Sequence, residues 1–160
     1  MVTVDIAIRP FKAGDEHAFR ALNEEWISEY FRIEEQDRLV LGDPELHIIE
    51  PGGHIFMAFD GGQPIGCCAL IRREDPYSFE LAKMSVTPAY RGQGVGRRIL
   101  EYAIAEAKAL GAKAVYLESN ARLANAIHLY ESCGFVHLPP NSNCHSLYAR
   151  ADVFMELQLT

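Results

Sequence analysis

A glycine-rich segment, residues 86–98, constrains the fold of this chain more than any other stretch of its sequence. It reads Val-Thr-Pro-Ala-Tyr-Arg-Gly-Gln-Gly-Val-Gly-Arg-Arg, between a predicted strand and an apolar stripe of helical period that begins at Val95. Glycine lets the backbone approach a ligand closely, and the free N–H groups of a helix start attract phosphate oxygens. The segment therefore predicts a turn that binds a diphosphate, with a flexible turn that binds nothing as the alternative.

Two common phosphate-binding motifs do not fit these glycines. A dinucleotide-binding GxGxxG motif that starts at Gly92 needs glycine at position 97, which is Arg97. One that starts at Gly94 needs glycine at position 99, which is Ile99. A Walker loop ends in Gly-Lys-Ser or Gly-Lys-Thr, which the segment lacks. The loop therefore belongs to neither motif.

Apolar periodicity predicts strands and helices in mixed order along the chain. The first helix carries apolar residues from Phe19 to Tyr30 behind a cap at Asp15, and later helices are predicted at 34–41, 94–110 and 123–133. Strands are predicted at 4–9, 54–59, 64–71, 78–86, 114–118, 135–138 and 152–159, the second and third forming a hairpin. This order predicts a single α/β domain, residues 1–160, with a mixed sheet covered by helices.

Composition excludes several classes of partner. With 15 basic and 22 acidic residues the formal charge is −7, which disfavours nonspecific binding to nucleic acid or to an anionic membrane. No apolar run approaches the roughly 20 residues of a membrane span, and residues 1–10 lack a signal-peptide pattern, so a cytoplasmic monomer or homodimer is expected. The four cysteines and six histidines lack metal-ligand spacing, so no metal site is predicted.

The loop resembles the Arg/Gln-x-x-Gly-x-Gly/Ala loop of the GCN5-related N-acetyltransferase (GNAT) family, with Arg91, Gly94 and Gly96 at the matching positions. The preceding segment, 80–88, also resembles the family's strand. Residues 126–135, Ala-Ile-His-Leu-Tyr-Glu-Ser-Cys-Gly-Phe, resemble the family's A-I-x-L-Y-x-x-x-G-F signature. The resemblance implies a mostly antiparallel central sheet flanked by helices, acetyl-coenzyme A (acetyl-CoA) as acetyl donor, and transfer of the acetyl group to an amine.

The resemblance also implies which residues contact acetyl-CoA. Backbone N–H groups of the loop would hold the pyrophosphate, and one strand would lie along the pantetheine arm with an N–H near the thioester oxygen. These residues are Gln93, Gly94, Val95, Gly96 and Arg97 in the loop, with Arg91 beside it, and Met84, Ser85 and Val86 on the strand. Many relatives carry an asparagine where this chain has Leu123. Asn120, at the end of the preceding predicted strand, has two alternative roles: it either caps the following helix or contacts the cofactor.

Acetyl transfer needs a group that accepts the amine proton and one that donates a proton to the leaving sulfur. Glu80 is the candidate base because it lies on the strand leading to the cofactor, where period-two alternation predicts that it shares a face with Ala82, Met84 and Val86. A surface carboxylate paired with an arginine is the alternative. Tyr130 matches the family's tyrosine that protonates the thiolate, and a core tyrosine is the alternative.

The resemblance implies that the first two helices and the last loop select the acceptor amine. They offer Trp26, Tyr30, Tyr148 and Arg150 as candidate substrate contacts, together with Glu25, Phe31, Asn143 and His145. Aromatic walls with few charges favour a small polar amine. Arg150 either holds a substrate carboxylate or pairs with an acid such as Asp152. A protein lysine or N-terminal acetyltransferase and a non-catalytic CoA-binding sensor are the alternative functions.

Overall fold

The computed structural model describes residues 5–75, 77–140 and 146–159. Within them, one seven-stranded sheet has the order β1-β2-β3-β4-β5-β7-β6. Its strands are β1 (Ile6–Pro10), β2 (His54–Asp60), β3 (Gln63–Arg72), β4 (Ser78–Val86), β5 (Ala114–Ser119), β6 (Val136–His137) and β7 (Val153–Gln158). Neighbouring strands are antiparallel except β4 and β5, which are parallel. The predicted mixed, mostly antiparallel sheet is confirmed.

In the part of the chain that the structure describes, four α-helices cover the two faces of this sheet. They are α1 (Glu16–Tyr30), α2 (Glu35–Gly42), α3 (Val95–Ala109) and α4 (Ala124–Ser132). Helices α1 and α2 pack on one face around Phe19, Ile27 and Met57, and α3 and α4 pack on the other around Ile99 and Leu100. A π-helical turn, Glu45–Ile49, and a 3₁₀ turn, Pro88–Tyr90, were not predicted. No helix in the described part of the chain is long and apolar enough to cross a membrane.

Local chemistry explains the predicted hairpin and the start of α1. Gly61 and Gly62 join β2 to β3 with φ of +57° and +88°, a left-handed conformation that suits a two-residue hairpin loop. Asp15 occupies the predicted N-cap position of α1, but its side chain makes no capping hydrogen bond. Its carboxylate instead accepts hydrogen bonds from the Arg9 guanidinium at 2.7 Å and the Lys12 backbone N–H at 2.9 Å.

An extra residue in β4 changes which side chains face each layer. Cys67 of β3 pairs with Ser85, whereas Ala69 pairs with Ala82, so β4 bulges between the two pairs. Lys83 lies in this bulge with φ of +53°. Bulges of this kind reverse the alternation of side chains along a strand.

This reversal makes the prediction that Glu80 shares a face with Met84 and Val86 wrong. Leu81, Met84 and Val86 all pack in the core beneath α3, although alternation without a bulge would separate Leu81 from the other two. Ser85 points the opposite way, since its Oγ donates a hydrogen bond to the Leu22 carbonyl of α1 at 2.8 Å. Glu80, the neighbour of Leu81, therefore lies on the face covered by α1 and α2.

Pairing between β4 and β5 ends at Leu81 and Leu117. Beyond these residues the two parallel strands separate, so the second half of β4 has no neighbouring strand on that side. The space between β4 and β5 is flanked by the start of α3 on one side and by α4 on the other.

The predicted strand 135–138 is shorter than expected, because only Val136 and His137 pair with β7.

Candidate active site

A cleft of about 770 Å³ opens where β4 and β5 separate. Its walls are the second half of β4, the end of β5, the start of α3, one side of α4 and the end of α1. Every described candidate residue in the site except Gln93 and Glu25 lines it: Trp26, Tyr30, Phe31, Glu80, Met84, Ser85, Val86, Arg91, Gly94, Val95, Gly96, Arg97, Asn120, Tyr130, Tyr148 and Arg150. Asn143 and His145 lie outside the described residues.

The glycine loop leaves open space at the start of α3. Gly94 is the residue before the first turn of α3, with φ of +81°, and Gly92 has φ of +77°. Apart from the adjoining residues of the chain, no heavy atom lies within 4 Å of the position that a Cβ would occupy on either residue. The first N–H groups of a helix have no acceptor within it and carry its positive dipole end. This combination of exposed donors and free space fits a diphosphate.

The polar side chains near this loop already have protein partners. Arg91 donates through Nε to the Val86 carbonyl at 3.1 Å, and its guanidinium pairs with Glu29 at 3.1 Å. Arg97 donates to the Ser132 hydroxyl of α4 at 2.6 Å. Gln93 donates to the Ala89 carbonyl at 3.0 Å, which turns its amide away from the cleft. The loop's ligand-binding capacity therefore rests mainly on its backbone.

We expect Gly94→Val to weaken acetyl-CoA binding about 10- to 100-fold, because a branched side chain fills the ligand space and strains a left-handed backbone. The dissociation constant from isothermal calorimetry measures this directly. Gly111→Val is the matched control, since Gly111 ends the same helix with φ of +85° and equally open Cβ space but lies away from the cleft. If both variants bind acetyl-CoA like the wild type, the loop does not hold it.

Glu80 has the protonation behaviour of a base. Burial, reinforced by the negative charge of Glu118, raises the pKa of Glu80 to about 7 against the opposing charges of Arg73 and Lys83. Among the described residues, no hydrogen bond or ion pair engages the Glu80 carboxylate. A carboxyl group with a pKa near 7 exchanges protons readily at neutral pH.

Tyr130 reaches the cleft from the other face of the sheet. Its ring is buried in the core beneath α3, with its centroid 5.9 Å from that of Phe135. Burial, with a smaller contribution from Cys68, raises the pKa of Tyr130 to about 12, so the hydroxyl stays protonated at neutral pH. Tyr130 is therefore a core residue that also lines the cleft. This position is compatible with both roles that the sequence left open.

Asn120 stabilises the connection between β5 and α4. Its amide nitrogen donates to the Arg150 carbonyl at 2.7 Å, and its amide oxygen accepts from the Arg122 N–H at 2.8 Å. Leu123 occupies the position just before α4. Neither bond caps α4, whose N-cap residue is Leu123 and has no side-chain capping hydrogen bond. Asn120 instead joins the loop before α4 to the segment before β7, and it lines the cleft.

Five residues at the far end of the cleft form a polar group that we name the Asp37 cluster: Glu34, Asp37, Lys83, Tyr148 and Arg150. The sequence predicted Tyr148 and Arg150 as substrate contacts and missed the other three. The Asp37 carboxylate accepts from Lys83 Nζ at 3.0 Å and from both terminal nitrogens of Arg150 at 2.8 Å. Lys83 Nζ also donates to the Tyr148 hydroxyl at 2.8 Å, and Arg150 contacts Glu34 at 3.3 Å. Arg150 thus pairs with acids of α2 and its vicinity rather than with Asp152.

The cluster holds its charges in a buried setting. Burial acts to raise the pKa of Asp37, but hydrogen bonds from Arg150 and the Glu34 backbone, with the charge of Lys83, lower it to about 2. Burial lowers the pKa of Lys83, although Asp37 opposes this. The one signal in the sequence was Lys83, which lies between Ala82 and Met84 in a predicted strand, because a buried lysine needs an acid as partner.

A model of the acetyltransferase (GNAT) family matches residues 15–135. The chain belongs to this family. GNAT proteins use acetyl-CoA as the acyl donor, so the fold, the donor and the family expected from the two motifs are confirmed. Within the described residues, no group of three or more His, Cys, Asp or Glu side chains is placed to hold a metal ion.

Three relatives with similar sequences match parts of the chain. The chain is 36% identical over 119 residues to the IAA acetyltransferase of Azospirillum brasilense, which covers 68% of this chain and 76% of that protein. It is 34% identical over 90 residues to the N-alpha-acetyltransferase RimI of Mycobacterium tuberculosis, covering 55% of each. It is 42% identical over 65 residues to the uncharacterized N-acetyltransferase YjgM of Escherichia coli, covering 41% of this chain and 39% of that protein. The chain therefore spans about half of the length of RimI and less than half of the length of YjgM.

Solved GNAT structures share the fold along almost the whole chain. A GNAT acetyltransferase from Staphylococcus aureus Mu50 superposes with a TM-score of 0.88 at 19% identity, covering 98% of this chain and 100% of that chain. The spermidine N-acetyltransferase of Vibrio cholerae, in complex with CoA and spermine, superposes with a TM-score of 0.71 at 22% identity, covering 96% and 95%. At sequence identities this low, the superpositions show a shared fold alone.

Proposed function

We propose that this GNAT protein transfers the acetyl group of acetyl-CoA to the primary amine of a small molecule, by direct attack of the amine. One observation carries the proposal: a carboxyl group with a pKa of about 7 and a protonated tyrosine hydroxyl line the same cleft as an open glycine loop. The three features supply a proton acceptor, a proton donor and a diphosphate site. A protein that only binds CoA needs the last of these alone.

Acetyl-CoA supplies the activated acetyl thioester. The N–H groups of Gly94, Val95, Gly96 and Arg97 hold its pyrophosphate at the positive end of α3. The backbone of β4 beyond Leu81 has no strand beside it, and there it accepts an extended ligand arm as an added strand would bind. Met84, Ser85 and Val86 lie along that arm.

The two proton transfers fall to Glu80 and Tyr130. A free alkylamine has a reference pKa of about 10.4, so it enters as an ammonium ion and must lose a proton before it attacks. Glu80 accepts this proton, directly or through a water molecule, once its own carboxyl group is ionised. Tyr130 donates a hydrogen bond or proton to the sulfur as negative charge develops on it.

The end of the cleft near Trp26 and Tyr148, which we name the acceptor end, is bounded by two connections that support a small acceptor. The Arg122 guanidinium donates to the Tyr30 carbonyl at 2.8 Å, which joins the end of α1 to the segment before α4. The Asp37 cluster joins α2 to the residues that precede β7. These contacts tie together the segments that form the walls at this end of the cleft, which suits an amine metabolite better than an extended peptide.

Acetylation of a protein N-terminus is the second candidate, favoured by the similarity to RimI. An acceptor panel of small amines and short peptides with free N-termini separates the two. Small-molecule transfer predicts that the best amine exceeds the best peptide in kcat/KM. The opposite ranking would favour the second candidate.

The proposal is tested by binding and turnover on one preparation. We expect acetyl-CoA at 100 times its Kd to raise Tm by about 5 to 10 °C, by selective binding to the native state. Thiol release with the amine panel should follow, with N-acetylated product identified by mass spectrometry. A clear Tm shift without release for any amine or peptide would indicate a CoA-binding module instead.

A further inference from the structure

Lys83, Tyr148 and Arg150 of the Asp37 cluster line the acceptor end of the cleft, and Asp37 and Glu34 contact them without lining it. The formal charges of the cluster balance. Lys83 and Arg150 are positive, and Asp37 and Glu34 are negative. The side chains of Lys83 and Asp37 are only 4% and 0% exposed, and that of Arg150 is 12% exposed. Buried charges are costly unless they are paired. Asp37 contacts both cations, so its carboxylate compensates the burial of Lys83 and Arg150.

Both cations are directed at Asp37 rather than into the cleft. The two terminal nitrogens of Arg150 bind the Asp37 carboxylate side by side at 2.8 Å, and its guanidinium lies 4.4 Å from the ring centre of Tyr148 and 5.7 Å from that of Trp26. Lys83 Nζ divides its contacts between Asp37 and the hydroxyl and ring of Tyr148. A carboxylate on the acceptor would have to compete with Asp37 for either cation.

The remaining charges at this end of the cleft also disfavour an acceptor carboxylate. Glu80 and Glu118 both line the cleft and lie on neighbouring strands. Glu118 is close enough for its negative charge to act on Glu80. An ammonium group approaching Glu80 is attracted, whereas a carboxylate attached to the same carbon meets two acids and a neutralised cluster. Two further cations have protein partners: Arg122, which lines the cleft, donates to the Tyr30 carbonyl, and Arg73, whose charge also acts on Glu80, lies over the Tyr116 ring.

We propose that Asp37 sets the charge selectivity of the acceptor site, so that the protein acetylates amines lacking a neighbouring carboxylate in preference to the corresponding amino acids. This inference rests on the proposed amine acetyltransferase function. It identifies the acceptor as a decarboxylated amine or an amine beside a neutral amide. Asp37 acts through Lys83 and Arg150, which makes it a positioning residue.

Matched acceptors that differ only in the carboxylate test the selectivity. Tyramine, tyrosinamide and tyrosine form one set, and agmatine, argininamide and arginine form another. We expect kcat/KM to favour the carboxylate-free members by about tenfold or more, since specificity is a difference in interaction free energy. Calorimetric binding of the same compounds to the CoA complex should give the same ranking without requiring turnover.

Asp37→Asn removes one negative charge from the cluster and leaves it positive. We expect the preference of this variant for carboxylate-free amines over amino acids to fall about tenfold. The main cause should be a lower KM or Kd for the amino acids, because a substrate carboxylate can now replace the lost charge. Acetyl-CoA affinity should be unchanged, because its proposed phosphate site lies at the other end of the cleft. Asp15→Asn is the matched control, since it breaks the Arg9 ion pair of 2.7 Å outside the cleft.

Glu34→Gln provides the second variant if Asp37→Asn does not fold. Its amide oxygen still accepts the hydrogen bond that begins α2, while the cluster loses one charge. Equal or reversed preference in the wild type, failure of every carboxylate-free amine to bind, or an unchanged preference in the variants would overturn the inference. The proposed function is judged separately by the Tm shift with acetyl-CoA and by thiol release with the wider amine panel.

Discussion

Replacing Glu80 by glutamine is expected to lower kcat/KM about 100-fold or more near neutral pH, because it removes the group that accepts the amine proton while keeping the shape of the side chain. In the wild type, kcat/KM should rise with pH through about 7, since the carboxyl group must be ionised to act and its pKa is raised to about 7. The variant should lack this ionisation. A pH-rate profile on both proteins measures the difference.

Glu24→Gln is the matched control for this substitution. Glu24 is a glutamate of α1 that pairs with Arg20 and does not line the cleft, so its loss should leave the rate and the profile unchanged. Glu118→Gln provides a positive check, because loss of its negative charge should move the ionisation of Glu80 below pH 7. A Glu80→Gln profile identical to that of the wild type would assign the proton to another group or to solvent.

The same pKa shift predicts an opposite effect on stability. The folded protein holds the Glu80 proton more tightly than the unfolded chain, whose pKa is about 4.5, so the ionised carboxylate destabilises the fold. This penalty is absent below about pH 4.5, grows as the pH rises to about 7 and is complete above it. Glu80→Gln should therefore be more stable than the wild type at pH 8, by at most about 3 kcal/mol in the free energy of unfolding. A gain in stability with a loss of turnover is typical of an active-site charge.

The parts of the site that follow from local sequence were predictable. Glycine spacing fixed the loop because Gly92 and Gly94 adopt left-handed backbone conformations that other residues rarely take. Strand β4 was predicted with the bounds Ser78–Val86, since its apolar run ends at Pro88. The family signature at 126–135 located Tyr130 on the helix that lines the cleft.

The parts that depend on distant pairings were not predictable. The bulge at Lys83 arises from the register of β4 against β3, and it reversed the predicted face of Glu80 relative to Met84. The Asp37 cluster joins residues that are 46 and 113 positions apart in the sequence. No periodicity within α2 or β4 shows that a particular acid will meet a particular lysine, because that match is made only when the tertiary structure forms.

Replacing Tyr130 by phenylalanine is expected to slow acetyl transfer about 10- to 1,000-fold, because the sulfur loses its hydrogen-bond donor as its charge develops. The ring and its contact with Phe135 are retained, so acetyl-CoA affinity should change little. The raised pKa of Tyr130, about 12, bounds this effect. So weak an acid transfers its proton to a thiolate, with a reference pKa near 8.5, less readily than an ordinary phenol does, and part of its contribution is stabilisation by a hydrogen bond.

Tyr102→Phe separates this chemistry from the general effect of losing a tyrosine hydroxyl. Tyr102 is a tyrosine of α3 that packs against Phe56 with ring centres 5.2 Å apart, and it does not line the cleft. Its variant should keep the wild-type rate. Single-turnover acetyl transfer and Tm, measured on the same preparations, distinguish the two roles of Tyr130, since product release then does not mask chemistry. A folded Tyr130→Phe variant with a single-turnover rate within about twofold of the wild type would show that Tyr130 only packs the core.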